Sequence, residues 1–218
     1  MIPVWLKILS VAFVISGVVC AAIVAADVIR HRQMMWIMDL VWPLTALYSG
    51  PFGLWAYLAI GRNAPGRHGG EKPFWQSVLT GATHCGAGCA VGDVIGEWLV
   101  FAAGLALLGS PLLAKFVVAF VLAYVFGIFF QYFAIAPMRG LGFADGMRAA
   151  IKADTLSLIA YEIGMFAWMA ITQKLLFPGL LPVTWTFWFM MQIAMMLGLA
   201  TTFPMNWWLI RRGIKESM

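Results

Sequence analysis

Charge is what this sequence has least of. Its 14 Lys or Arg and 9 Asp or Glu make up 11% of 218 residues, where a soluble domain carries about a quarter. Only three cysteines are present, all in apolar stretches, which excludes a disulfide framework. No long polar tract, linker or low-complexity segment interrupts the chain, so the whole of 1–218 reads as a single domain. Catalytic signatures are missing too. There is no metalloprotease HExxH, and the run Gly86-Ala-Gly-Cys-Ala-Val-Gly92 lacks the preceding strand and the spacing of a nucleotide loop. The net charge of +5 sits in loops facing an anionic lipid leaflet and gives no nucleic-acid surface.

What fills the chain is apolar. Hydrophobic residues make up 63% of it, with 11 Trp and 5 Tyr to supply interfacial belts. The composition predicts an all-α, polytopic transmembrane bundle in contact with the lipid bilayer. Six spans are expected near residues 8–28, 34–60, 74–108, 116–136, 154–177 and 184–210. The first has an alternative reading as a signal peptide, with Lys7 as the charged start and Val24-Ala25-Ala26 as the cleavage site; five spans then remain. Pro43 and Pro51, with Gly50 and Gly53, predict a kink or break in the second. The third is too long. A straight helix over 74–108 would measure about 52 Å against a hydrocarbon core of about 30 Å, so it tilts, or breaks among Gly86, Gly88 and Gly92 with residues 74–92 re-entrant. Pro137 closes the fourth, and the second half of 138–152 suits a short interfacial helix.

Six spans bring both termini to one side. Lys7, Arg62, Arg67, Lys72, Arg139, Arg148, Lys152, Arg211, Arg212 and Lys215 then share that side, against Arg30, Arg32, Lys115 and Lys174. The positive-inside rule makes it the cytoplasmic side of a bacterial inner membrane, with Arg30 and Arg32 as the dissenting pair.

The candidate site is Thr83 to Trp98. On a helix, Cys85, Cys89, Asp93 and Glu97 follow at i, i+4 along one face, His84 lies a quarter turn off, and Gly88, Gly92 and Gly96 form a small-residue ridge beside them. That ridge suits a homo-oligomer or a membrane partner helix. Asp154, Glu162, Met165 and Met169 supply a supporting face on the fifth span; Tyr124, Gly127 and Gln131, and Gln192, Met195, Thr202 and Asn206, do so on the fourth and sixth. Ionisable groups at bilayer depth cost roughly 3 kcal/mol each and turn inward, so these faces should converge. The third and fifth spans run parallel, which sets Asp154 near the depth of His84 and Cys85, and Glu162 near that of Asp93. Histidine and thiolate suit Zn²⁺ or Cu⁺, and thioethers favour Cu⁺; carboxylates suit a harder ion or a proton relay. Binding or transport of a soft transition metal, copper first, is therefore the expected function. Each residue also has a plainer role: the cysteines as small packing groups, Glu162 as an interhelical hydrogen-bonding group, the methionines as core filler. A structural or accessory membrane subunit and a membrane oxidoreductase are the alternatives.

Several stretches carry a resemblance. Val41 to Pro51, His84 to Trp98, Phe130 to Gly140, Lys152 to Leu158 and Pro204 to Ile210 are similar to domain-of-unknown-function family 4396. The resemblance implies a polytopic bacterial membrane protein and brings no catalytic residue with it.

Overall fold

The computed structural model describes residues 2–63 and 73–216. Arg67 and Lys72, counted above among the basic loop residues, lie outside them. Apolar runs that cross a bilayer must satisfy their backbone internally, and among the described residues they do so as helices. In chain order these are α1 (Val4–Arg30), α2 (Met38–Ser49), α3 (Pro51–Ala56), α4 (Phe74–Ala103), α5 (Pro111–Arg139), α6 (Phe143–Ile171) and α7 (Trp185–Arg211). Single π-helical turns, Tyr57–Gly61 and Thr172–Leu176, extend α3 and α6. Five helices, α1 and α4 to α7, are long and apolar enough to cross a membrane.

The second expected span does not cross. With 12 residues, α2 reaches about 18 Å, well short of a core of about 30 Å. At its end Gly50 takes φ +58, a conformation open to glycine, and Pro51 starts a new helix in the opposite direction. The turn lies at mid-depth, since Gly50 packs beside Ser16 and Gly17 in the middle of α1. The returning arm comes back to where α2 began. Trp42 and Tyr57 pack with ring centroids 5.7 Å apart, and Gly61 lies against the Trp42 indole. Arg62 grips Asp27 at the end of α1 through Nε and Nη2, at 2.8 and 2.9 Å, and the Tyr57 hydroxyl donates to the same carboxylate at 2.7 Å. The expected kink at Gly50 and Pro51 is thus a full reversal, and α2–α3 is a re-entrant hairpin. Its break leaves the Leu47 carbonyl without a helical partner, and Gln192 of α7 donates to it at 2.9 Å in the space that Gly17 leaves.

One crossing fewer separates the termini. The start of α1 lies with the start of α7, through Ser10 on Thr186 at 3.4 Å and Phe13 on Phe189 at 5.3 Å. The end of α7 lies with the start of α4, where Trp207 meets Phe74 at 4.8 Å. The first and last helices therefore run in the same direction, so the start of α1 and the end of α7 lie on opposite faces, and the expectation of both termini on one side is corrected. Call these faces the Lys7 end and the Arg30 end. Arg62, which six spans had set opposite Arg30, is on its side.

The remaining segments differ in length. Helix α4 is continuous, with no break among Gly86, Gly88 and Gly92, and stops at Ala103, so 74–92 is not re-entrant. Helix α5 starts earlier than expected, at Pro111, which brings Lys115 inside it, and runs through Pro137. The interfacial helix expected in 138–152 is the first part of α6. Helices α4 and α5 pack with backbones nearly touching: a Cβ on Gly88 would lie 2.8 Å from Gly127 Cα, one on Gly96 2.9 Å from Ala119 Cα, and one on Gly92 would overlap Ala123. The glycine ridge is filled by this chain's own α5, which corrects its expected use by a second copy or a partner.

Candidate functional site

Helix α4 is the axis of the bundle and is buried along most of its length between α2, α5, α6 and α7. Its i, i+4 stripe of Gly81, Cys85, Cys89, Asp93 and Glu97 rises about 24 Å, most of the hydrocarbon thickness. Every residue predicted for the site is buried: His84, Cys85, Cys89, Asp93 and Glu97 on α4, and Asp154, Glu162, Met165 and Met169 on α6.

The stripe divides into three stations. At the Lys7 end, Lys115 from near the start of α5 reaches Glu97, with Nζ 2.8 Å from Oε2 and both side chains under a tenth exposed. The ammonium also stands 5.1 Å above the centre of the Phe187 ring. At the Arg30 end, Lys215 donates to Asp154 Oδ1 at 2.7 Å, with neither side chain exposed. Ser157 stands beside that pair and donates to Asn206 at 2.8 Å, while Thr202 donates to the Ser157 carbonyl, also at 2.8 Å. His84 neighbours Asp154, Lys215 and Gln131, with its ring 6.2 Å from Phe130.

The middle station has no basic side chain among the described residues. Asp93 lies in the electrostatic neighbourhood of Glu162, and Cys89 in that of both Glu162 and Cys85. Tyr48, from the re-entrant hairpin, and Tyr161 close over the same spot, each in contact with Gly86. Among the described residues, both oxygens of Asp93, both of Glu162 and the two tyrosine hydroxyls have no hydrogen-bonding partner of regular geometry. Buried polar groups are almost always satisfied, so this run of unpaired groups makes the middle station the candidate site. Charge says the same. The interior holds four carboxyl groups, Asp93, Glu97, Asp154 and Glu162, against two ammonium groups, Lys115 and Lys215. The lysines pair with the outer two carboxylates, and the central pair has no lysine or arginine against it among the described residues.

The expected five-ligand site does not assemble. Glu97 is engaged by Lys115, His84 turns toward Asp154, and no group of three His, Cys, Asp or Glu among the described residues is arranged to hold a metal ion. The depths expected for the parallel spans do recur, with Asp154 beside His84 and Cys85 and Glu162 beside Asp93. Sequence reasoning missed Lys115, Lys215 and Tyr48. Lys115 carried a readable signal, a lone cation in Leu-Leu-Ala-Lys-Phe-Val-Val, whereas nothing in the polar tail marks Lys215 for burial.

An all-α membrane protein with a line of buried ionisable groups through its core is the class that fold and site define. This chain belongs to the family described as domain of unknown function (DUF4396), whose model matches residues 74–215. The match starts with α4 and ends on Lys215, so it takes in the carboxylates and lysines of all three stations and leaves out α1 and the hairpin with its Tyr48, a narrower span than the sequence resemblance had suggested. No curated protein and no solved structure matches the chain.

Proposed function

We propose that the protein binds a cation between Asp93 and Glu162 and passes it along the α4 stripe across the membrane, and that the cation is a proton. The observation that carries this reading is the central pair of buried carboxyl groups with no counter-charge. A proton needs no coordination shell, and the Cys85, Cys89, Tyr48 and Tyr161 groups around the pair are donors and acceptors able to hand it on. Purified protein in liposomes with an internal pH dye and an imposed potassium diffusion potential tests it. The wild type is expected to acidify or alkalinise the lumen with the sign of the potential, and Asp93→Asn and Glu162→Gln to abolish the flux. Equal flux in all three would overturn it.

A second reading keeps the same site and changes the ion. The support for it is ligand type and not convergence: the thiols of Cys85 and Cys89 neighbour each other near Glu162, with Met165 and Met169 in the surrounding core, and sulfur ligands suit a soft metal, copper before zinc. Stoichiometric Cu⁺ retained by anaerobically purified protein and lost in Cys85→Ser/Cys89→Ser would favour it over the proton.

The hairpin also changes the reading of orientation. Among the described residues the Arg30 end holds Arg30, Arg32, Arg62, Arg139, Arg148, Lys152, Arg211, Arg212 and Lys215, and the Lys7 end holds Lys7, Lys115 and Lys174. The dissent of Arg30 and Arg32 disappears. The positive-inside rule supports a cytoplasmic Arg30 end, with the start of α1 on the outer face of a bacterial inner membrane.

A further inference from the structure

Lys215 belongs to no helix, yet its side chain is wholly buried on Asp154. The chain leaves α7 at Arg211 and reverses through Gly213 at φ +65. Gly213 donates to the Ile210 carbonyl at 3.0 Å, and Ile214 and Lys215 donate to that of Leu209 at 3.0 and 3.4 Å. This turn aims the lysine inward. Its stem passes Gly81, the last member of the α4 stripe, where an added Cβ would lie 3.8 Å from Lys215 Cε and within 4 Å of nothing else. The ammonium ends on Asp154 at 2.7 Å with Ser157 Oγ at 3.5 Å, in the electrostatic neighbourhood of His84 and of Cys85 in the stripe.

The two buried lysines are therefore held differently. Lys115 is carried on the helical backbone of α5, near its start. Lys215 rides on a non-helical turn held by its bonds to the Leu209 carbonyl and, among the described residues, by one exposed ion pair, Glu216 to Arg139 at 3.3 Å, of the weak surface kind. Withdrawing it breaks the buried ion pair with its Ser157 contact, the surface pair and at most the turn's bonds to Leu209, and leaves α7 intact up to Arg211.

We propose that Lys215 is a tethered gate: an internal cation that plugs the Arg30 end of the stripe, held by Asp154, and that opens the stripe to water when the tail swings out. This rests on reading the stripe as a path. While seated, the lysine fills the mouth and sets a positive charge where an incoming cation would have to pass.

The test uses Cys85 as a reporter in a Cys20→Ser/Cys89→Ala background, with a water-soluble, charged methanethiosulfonate as the probe. Two variants remove the plug: the chain ended after Gly213, and full-length Lys215→Ala/Asp154→Asn, which leaves no unpaired buried charge and keeps the test valid should the shorter chain not fold. Modification of Cys85, read by mass, is expected to speed up on the order of tenfold or more in both, as removal of a barrier of about 1.4 kcal/mol would give. Unchanged modification in a folded variant would overturn the gate. Faster modification with no proton flux in any of the proteins would uphold the gate and reject proton translocation, so the two failures can be told apart.

Discussion

Removing one partner of the Lys115–Glu97 bridge should be far more damaging than removing both. The charges are 2.8 Å apart, with side chains 8% and 4% exposed. At an effective dielectric constant of about 20, their attraction is roughly 6 kcal/mol, most of it offset by the cost of taking both out of water. In Lys115→Met the ammonium goes and the Glu97 carboxylate stays, buried and unpaired, at an expected cost of about 3–5 kcal/mol. Glu97→Gln strands the lysine against Phe187 and should cost nearly as much. The double variant strands nothing and should come within about 1.5 kcal/mol of wild type, giving a coupling energy of about 3 kcal/mol or more. For a chain of this size 1 kcal/mol moves Tm by about 2–4 °C, so thermal unfolding in detergent followed by circular dichroism should show single variants lowered by roughly 6–20 °C and the double largely restored. Two small single effects, each under about 1 kcal/mol and additive in the double, are what an exposed pair gives. That result would refute the assignment of this bridge to the bundle interior.

Gly92→Ala should destabilise by about 1–3 kcal/mol in the same assay, because its Cβ would overlap the Ala123 backbone of α5; an unchanged Tm would contradict the close α4–α5 packing. Leu108, fully outside the bundle, holds φ +50 in the turn between α4 and α5, so Leu108→Asn should raise stability by about 1 kcal/mol, and a fall would refute the left-handed assignment. In cells, cysteines introduced at Met34 and at Arg212 should both be shielded from an impermeant maleimide added outside, while one at Leu108 should be labelled. Labelling at Met34 without labelling at Arg212 would restore six crossings in place of the hairpin.

Most helices were legible because their signal is local. A run of about 20 apolar residues has few alternatives in a membrane, and α1, α5 and α7 follow their runs to within a few residues. The hairpin was hidden because 34–60 is apolar enough to span. What reverses it is the positive φ at Gly50 together with the pull of Asp27 on Arg62, a pair 35 residues apart. Once that segment was counted as a crossing, Arg62 moved to the wrong face and Arg30 and Arg32 became an anomaly. The α4 stripe was readable from its i, i+4 spacing, and the parallel course of α4 and α6 set Glu162 against Asp93. Chemistry was less readable than place. Residue types along one helix suggested a shared ligand set, but Glu97 and Asp154 meet lysines from a helix start and a tail that sequence could assign only to loops. The glycine ridge was likewise visible as a contact surface, without any sign that α5 of the same chain would cover it.

That a proton bridges Asp93 and Glu162 is read most directly by infrared difference spectroscopy of the reconstituted protein on exchange from H2O to D2O. The expected result is a deuterium-sensitive carboxylic-acid carbonyl band in the wild type that is absent from both Asp93→Asn and Glu162→Gln, since each variant removes one side of the bridge. Survival of the whole band in either variant, or two ionised carboxylates accompanied by a stoichiometric metal ion, would contradict it.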